Sequence, residues 1–313
     1  MQQPSKLLII GLGTFQRPKM LEETLKSFQK LNVPEGIAVK LYIADNDANE
    51  SAKSIVTRLK DSLSIEVEYF VEEKRGIVFM RNLIMEKALE QNASLLAFID
   101  DDEEVENNWL EVMLSNKEKY NADVVVGRVE RILPENTPKW ILKGNFFERP
   151  NIPTGSVRQA ASTSNVIFDL NLIGNEMGLR FHPSLNLSGS SDTFLFEEAT
   201  RKGAKIIWVN DNLVKESIPL SRMTVNWLLK RAFRHTNCRT IRKRIRHPYA
   251  VALITEGAYG IIHFLLAFFW FPIYIFIGKA GLVHILRFFW KCAGSFAGLS
   301  GYVYKEYENV HGY

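Results

Sequence analysis

Cysteine is nearly absent from this sequence of 313 residues. Cys238 and Cys292 are the only two, they lie far apart, and they make no metal-ligand spacing. A disulfide framework is excluded, and a reducing compartment is expected. The N-terminus, Met1-Gln2-Gln3-Pro4-Ser5-Lys6, shows no long apolar run and no cleavage signal; Leu7 to Ile10 is too short to serve as one. No internal repeat and no low-complexity linker divides the chain. Acidic residues are missing between Lys230 and Arg246, where eight Lys and Arg stand. The net charge of +4 is therefore local: without that segment it would be −4. From Gly257 to Ile277 charged residues are missing altogether.

What is present is ordinary globular composition, 46% hydrophobic and 24% charged. The length suits one large α/β domain or two smaller ones. Leu7 to Gly13 reads as a buried first strand, with the loop Thr14-Phe15-Gln16-Arg17 after it and Pro18 opening a helix. Gly11-x-Gly13 invites a dinucleotide-binding reading, but Gln16 occupies the third glycine position. Val39 to Ala44 is a second strand, ending at Asp45-Asn46-Asp47, and Ile65 to Val71 a third. Helical spacing runs from Ile77 to Gln91, and Asn107-Asn108-Trp109 opens another helix. Asp123 to Val129 reads as a strand, as do Ser164 to Phe168, Ile206 to Val209 and Leu213 to Lys215. Strands alternating with helices predict βαβ units and a mostly parallel sheet. Between Leu133 and Arg158 prolines and aromatics break the pattern, as in loops that touch substrate.

The central stretch is Leu95-Leu96-Ala97-Phe98-Ile99-Asp100-Asp101-Asp102. A short apolar run ending in carboxylates fits a strand buried on both faces. Its acids then fall at the carboxyl end, where open α/β sheets bind ligands. In strand geometry Asp100 and Asp102 point to one side. Two such oxygen donors suit Mg²⁺ or Mn²⁺, which usually completes its shell with substrate phosphates. The plain alternative is a solvated turn before a helix.

Six pieces in order resemble the family 2 glycosyltransferases of GT-A fold, and more closely the bacterial exopolysaccharide enzymes of the succinoglycan type. They are Gly13-Thr14-Phe15-Gln16-Arg17-Pro18, Ala44-Asp45-Asn46-Asp47, Gly76 with Arg81-Asn82, Ala97 to Asp102 followed by Trp109, Pro138-Lys139-Trp140, and Trp227-Leu228-Leu229-Lys230-Arg231 with Phe233-Arg234. The resemblance covers about residues 7–235. It implies a Rossmann-like catalytic domain over 1–220, a basic helical segment over 221–247 and an apolar helical tail over 248–313.

It also implies roles. Thr14 and Arg17 would line the nucleotide pocket, Asp45 would meet the base, and Arg81 would lie near the donor. Asp100 would hold the ribose side and Asp102 the metal, with Asp101 turned away into its own hydrogen bonds. The base would be Asp192; the family usually has Glu-Asp there, and this chain has Ser191-Asp192. Relatives often place a His near Lys215-Glu216. Here Glu216 would substitute as an oxygen ligand, and Lys215 would touch the diphosphate. Trp140, Trp227, Arg231 and Arg234 would serve the acceptor and its diphosphate. The implied activity is inverting transfer from a nucleotide-sugar, a UDP-sugar, to a lipid-linked oligosaccharide or surface polysaccharide. The rival is a membrane-attached binding or scaffold protein that kept the fold without turnover.

Trp227, Arg231 and Arg234 share one helix face, and Arg239, Arg242, Lys243 and Arg246 continue the basic stripe. Nucleic acid is not expected as its partner, because no aromatic interleaving accompanies it. The uncharged run from Gly257 to Ile277 is long enough to span a bilayer, and basic residues before it fit attachment at the cytoplasmic face of the inner membrane. Ala280 to Tyr302, interrupted by Arg287 and Lys291, suits an amphipathic or re-entrant helix.

Overall fold

The structure, a computed structural model, describes residues 6–174 and 177–306. Two compact units divide the chain. The first takes Met1–Ile132, Pro150–Asn186 and Ser191–Ser217, and the second Leu133–Arg149, Leu187–Ser190 and Ile218–Tyr313.

The first unit opens with β1 (Lys6–Thr14), α1 (Pro18–Phe28), β2 (Ile37–Asp45), α2 (Lys53–Leu59), β3 (Glu66–Val71), α3 (Ile77–Glu90) and β4 (Leu95–Asp100). Then come β5 (Glu103–Val105), α4 (Trp109–Lys119) and β6 (Val124–Ile132). After α5 (Lys139–Lys143), which belongs to the second unit, follow β7 (Val157–Arg158), β8 (Val166–Asp169), α6 (Ser191–Arg201) and β9 (Ile206–Ser217). The sheet order is β3-β2-β1-β4-β8-β6-β9-β5, with β7 paired to β9. β3, β2, β1 and β4 are mutually parallel, and β8 is antiparallel to both β4 and β6. The expected α/β class with a mostly parallel sheet is what forms.

Period-two alternation sorts each central strand between two cores. Leu8, Ile10 and Leu12 of β1 join Leu95, Ala97 and Ile99 of β4 on the side of α1 and Trp109. Ile9, Leu96 and Phe98 join Ile84 and Met85 of α3 on the other. The two glycines of β1 face α3. A Cβ on Gly11 would lie 2.6 Å from Ile84 Cγ2, and one on Gly13 would lie 3.0 Å from Met80 Cε. Helix packing accounts for this glycine pair without a phosphate. Trp109 is fully buried, and its indole N–H donates to Asn165 Oδ1 at 2.8 Å.

Two details depart from the expectations. Ile206 to Val209 and Leu213 to Lys215 are one strand, β9, which stays paired with β6 across a register shift between Gly127 and Val129. Glu103-Glu104-Val105 forms β5, an acidic strand with no apolar alternation to announce it; pairing with β9 creates it.

The second unit holds α5, α7 (Val225–Arg246), α8 (Tyr249–Tyr274) and α9 (Lys279–Leu299). Thr224 caps α7, its Oγ1 accepting from Trp227 N–H at 3.2 Å. α9 runs parallel to α7. Asn237 Nδ2 donates to Gly294 O at 3.3 Å, and Arg244 Nη1 to Gly298 O at 2.8 Å. Glycine permits that approach, since a Cβ on Gly294 would lie 2.3 Å from Phe233 O. α9 runs antiparallel to α8, with Phe264 against Phe289 and Tyr274 against His284. Among the described residues one helix, Tyr249–Ile277, is long and apolar enough to cross a membrane, and most of its apolar window is exposed. Ile141, Phe146, Phe147, Leu228 and Val283 form a small core of their own.

Candidate active site

The acidic turn after β4 is built by alternation carried past the strand end. Asp100, next on the face of Leu96 and Phe98, meets α3, where Arg81 Nη2 reaches its Oδ1 at 3.2 Å. Asp101 falls on the α1 face and is almost fully buried. It accepts from Thr14 Oγ1 at 2.8 Å and from Arg17 Nη1 at 3.0 Å, while its carbonyl accepts from Thr24 Oγ1 at 3.0 Å. Asp101 is thus turned into its own hydrogen bonds. Asp102 lies 3.7 Å from Arg17 Nη1. Glu103, also buried, accepts from Asp100 N–H at 3.0 Å.

The neighbouring strands add charge in cross-strand rows. Glu103 of β5, Glu216 of β9 and Arg131 of β6 are register partners. Arg131 Nε lies 3.7 Å from Glu216 Oε2. The adjacent row holds Glu104, Lys215 and Glu130, whose side chains point to the opposite face. Lys215 accordingly pairs with Glu106 at 2.5 Å. Lys215 and Glu216 thus point to opposite faces of β9, because one step along a strand reverses the direction.

Asp192 sits in the first turn of α6, where its Oδ1 accepts from Thr193 N–H at 2.6 Å. It lies near enough to Asp100 for its charge to help raise that carboxyl's pKa. Asp100, Asp101, Asp102, Asp192, Glu103 and Glu216 therefore gather at the carboxyl end of β4, with Arg17, Arg81 and Arg131 among them.

Two other candidate residues turn their polar groups inward. Thr14 is buried, and its hydroxyl donates to Asp101, helping to hold the acidic turn. Asp45 is wholly buried, and its carboxylate accepts from Asp47 N–H, Ala52 N–H and Tyr69 O–H. These bonds fasten the loop after β2. In the second unit Trp140 packs on Phe146, Trp227 stacks on Phe147, Arg231 lies over Trp227, and Arg234 pairs with Glu306 at 2.6 Å.

Glu103 is the residue the sequence reading missed. Burial, then the Asp100 charge, hold its carboxyl well above the usual carboxylate range, although the Asp100 N–H pulls it back. Burial pushes Asp101 up to about 7 against the pull of Arg17. Asp100 is raised as well, by the protein crowded around it and by its acidic neighbours, against Arg81; 42% of its side chain still meets solvent. Groups raised in the fold stabilise it fully below their unfolded values near 4, and that stability is lost as pH rises through the folded ones. The expected result is an unfolding temperature that falls as pH rises from about 5 to about 7.5. Glu103→Gln should flatten that fall; scanning calorimetry over the range checks it, and an unchanged slope would remove Glu103 from the account.

Among the described residues no three His, Cys, Asp or Glu side chains form a ready metal cage. The donor set nonetheless fits a hard cation. Asp102 and Glu216 offer oxygen ligands within a crowd of carboxyls that resist ionising together, and Mg²⁺ or Mn²⁺ commonly takes one or two carboxylates plus substrate phosphates.

The family profile described as glycosyl transferase family 2 matches residues 10–175. The succinoglycan biosynthesis protein ExoM of Rhizobium meliloti (strain 1021) is 32% identical over 226 residues, which cover 72% of this chain and 71% of that protein. Crystal structures of S. aureus TarS share the fold. One aligns with a TM-score of 0.53 at 15% identity, over 73% of this chain and 40% of that one. TarS 1–349 in complex with UDP-GlcNAc aligns at 0.53 and 15%, over 76% and 66%. Its complex with UDP aligns at 0.53 and 13%, over 96% and 93%. This chain therefore spans 40% of that longer TarS chain, and at such identities the likeness speaks for the fold, which is of the GT-A type. The profile match and the identity to ExoM settle the family: the chain belongs to glycosyltransferase family 2.

Proposed function

We propose that the chain transfers a sugar from a UDP-sugar to a lipid-linked oligosaccharide or growing surface polysaccharide, inverting the anomeric centre. The observation that carries this reading is the convergence of Asp100, Asp102, Asp192 and Glu216 at the carboxyl end of β4. Asp102, with Glu216 beside it, would hold Mg²⁺ or Mn²⁺, which when bound buffers the charge of the departing diphosphate. Asp100, kept in place by Arg81, faces the nucleotide. Arg17, between Asp101 and Asp102, fixes the acidic turn and adds positive charge where the donor's phosphates lie. Asp192 takes the proton of the attacking acceptor hydroxyl as general base. Ser191 stands in place of the usual acid, a change that bears on acceptor positioning more than on the base. The sheet holds donor and acceptor in line.

The second unit supports the membrane part of this reading. Ile254, Phe268, Phe269 and Phe276 expose apolar surface on and just after α8, and the basic helix α7 precedes it. Together they support attachment at the cytoplasmic face of the inner membrane. Trp140, Trp227, Arg231 and Arg234 are assigned to the acceptor. The relatives agree: ExoM is a succinoglycan biosynthesis protein, and TarS was crystallised with UDP-GlcNAc and with UDP. The test is a screen of UDP-sugars on isolated membranes carrying lipid-linked acceptors, read by mass spectrometry. One donor is expected to be consumed with release of UDP and a matching mass gain on the lipid fraction. If no UDP-sugar is consumed while another nucleotide-sugar is, the donor class is wrong.

A further inference from the structure

We propose that Arg287 and Lys291 of α9, together with Arg231 and His235 of α7, form a binding site for a phosphate or diphosphate group. Arg287, Lys291, Gly294 and Gly298 recur at i, i+4, i+7 and i+11 and share one stripe of α9. That stripe faces α7: a Cβ on Gly294 would lie 2.4 Å from Thr236 Oγ1, and one on Gly298 would lie 2.7 Å from Thr240 Cβ. The helices run parallel, so the turns before Gly294 carry Lys291 and Arg287 alongside the first half of α7.

The aromatic layer beneath ties the cations together. The Arg287 guanidinium lies 5.4 Å from the Phe146 ring. The next residue, Phe147, stacks on Trp227 at 5.7 Å, and Arg231 lies 5.1 Å from that Trp227 ring. His235 is open to solvent, yet its pKa is lowered to about 4 by the protein around it and then by Lys291, Arg242, Arg234 and Arg231. Those charges include Lys291, one of the two cations of α9. A neutral imidazole still donates one N–H.

Charge compensation separates these cations from their neighbours. Arg239 is met by the buried Glu256 at 2.9 Å, and Arg234 by Glu306. Among the described residues Arg287 and Lys291 have no ion pair, and Arg287 Nε is buried without a hydrogen-bond acceptor. Two like charges half-buried one turn apart are costly unless an anion offsets them. An orphaned buried donor marks a missing partner. A phosphate ester suits this set, since arginine offers a fork of donors and lysine a point charge. The inference deepens the function proposed above, and rests on it only where the phosphate is taken to be that of a lipid-linked acceptor.

The test uses the full chain with EDTA throughout, so that no divalent ion sits among the carboxylates, in detergent micelles for calorimetry and freed of detergent for the vesicles. Calorimetry with inorganic pyrophosphate reports free phosphate. Sedimentation with phosphatidylcholine vesicles, with and without farnesyl diphosphate, reports a lipid headgroup. Wild type should bind, and the double variant Arg287→Met, Lys291→Met should bind about tenfold more weakly or worse. The pair Arg287→Lys, Lys291→Arg should recover most of the affinity. Preference for farnesyl diphosphate vesicles over pyrophosphate identifies a lipid source, and equal binding a free one; either supports the site. Wild-type binding of neither probe, or equal binding by wild type and the methionine variant, overturns it. UDP binding with Mn²⁺, measured on the same samples, reports folding and the donor reading separately. If the double variant loses that too, the single variants decide by the same comparison.

Discussion

Asp192→Asn is expected to lower sugar transfer by about two to four orders of magnitude while donor affinity stays within about twofold. The substitution keeps the size of the side chain, and the amide oxygen can still accept the Thr193 N–H that holds the carboxylate at 2.6 Å. What it removes is the capacity to accept a proton from an acceptor hydroxyl. Donor binding should not suffer, because the Asp192 charge disfavours ionisation of Asp100, and losing it eases that carboxyl. Steady-state kinetics beside UDP calorimetry separate the two quantities. A variant that transfers at the wild-type rate would end the assignment of Asp192 as base.

Asp102→Ala is expected to fail one step earlier. Donor affinity in the presence of Mn²⁺ should fall by about a hundredfold and transfer should be lost. Asp102 lies in the turn between β4 and β5 with Arg17 at 3.7 Å, and Asp101 anchors that turn independently through Thr14, Arg17 and Thr24. The turn should therefore survive the substitution, leaving the loss of an oxygen ligand as the cause. Calorimetry with UDP, with and without Mn²⁺, reads it directly. Equal Mn²⁺-dependent affinity in variant and wild type would remove Asp102 from the metal assignment. The two variants are complementary: one binds donor and does not transfer, and the other does not bind it.

The carboxyl end of β4 was legible in the sequence because Leu95 to Ile99 is apolar on both faces and polarity then reverses within one residue. The same signature announced β1 and β2. It could not announce β5, since Glu103-Glu104-Val105 becomes a strand only through its pairing with β9. Nor could it show that Thr14 and Asp45 spend their polar groups inward. Both stand at strand ends, where alternation gives way to turns, and their partners include residues far away in the chain, Asp101 for Thr14 and Tyr69 for Asp45. The pairing of Lys215 with Glu106 was hidden for a simpler reason. Reading Lys215 together with Glu216 ignored the alternation that sends adjacent strand residues to opposite faces. The pairing of α7 with α9, past the intervening α8, was likewise invisible, because helical periodicity identifies a face without naming what covers it.

That pairing has a consequence for how the chain is made. α7 leaves the ribosome before α8 and α9, yet Asn237 finds its carbonyl acceptor at Gly294, 57 residues later. Thr236 and Asn237 are wholly buried in the finished protein, much of their cover coming from a helix not yet synthesised when they emerge. α8, the most apolar segment, appears in the interval with no antiparallel partner. Contacts of such separation form late, because the connecting segment must be ordered first. The helical unit therefore closes only after α9 has emerged, and α8 needs shelter in the meantime.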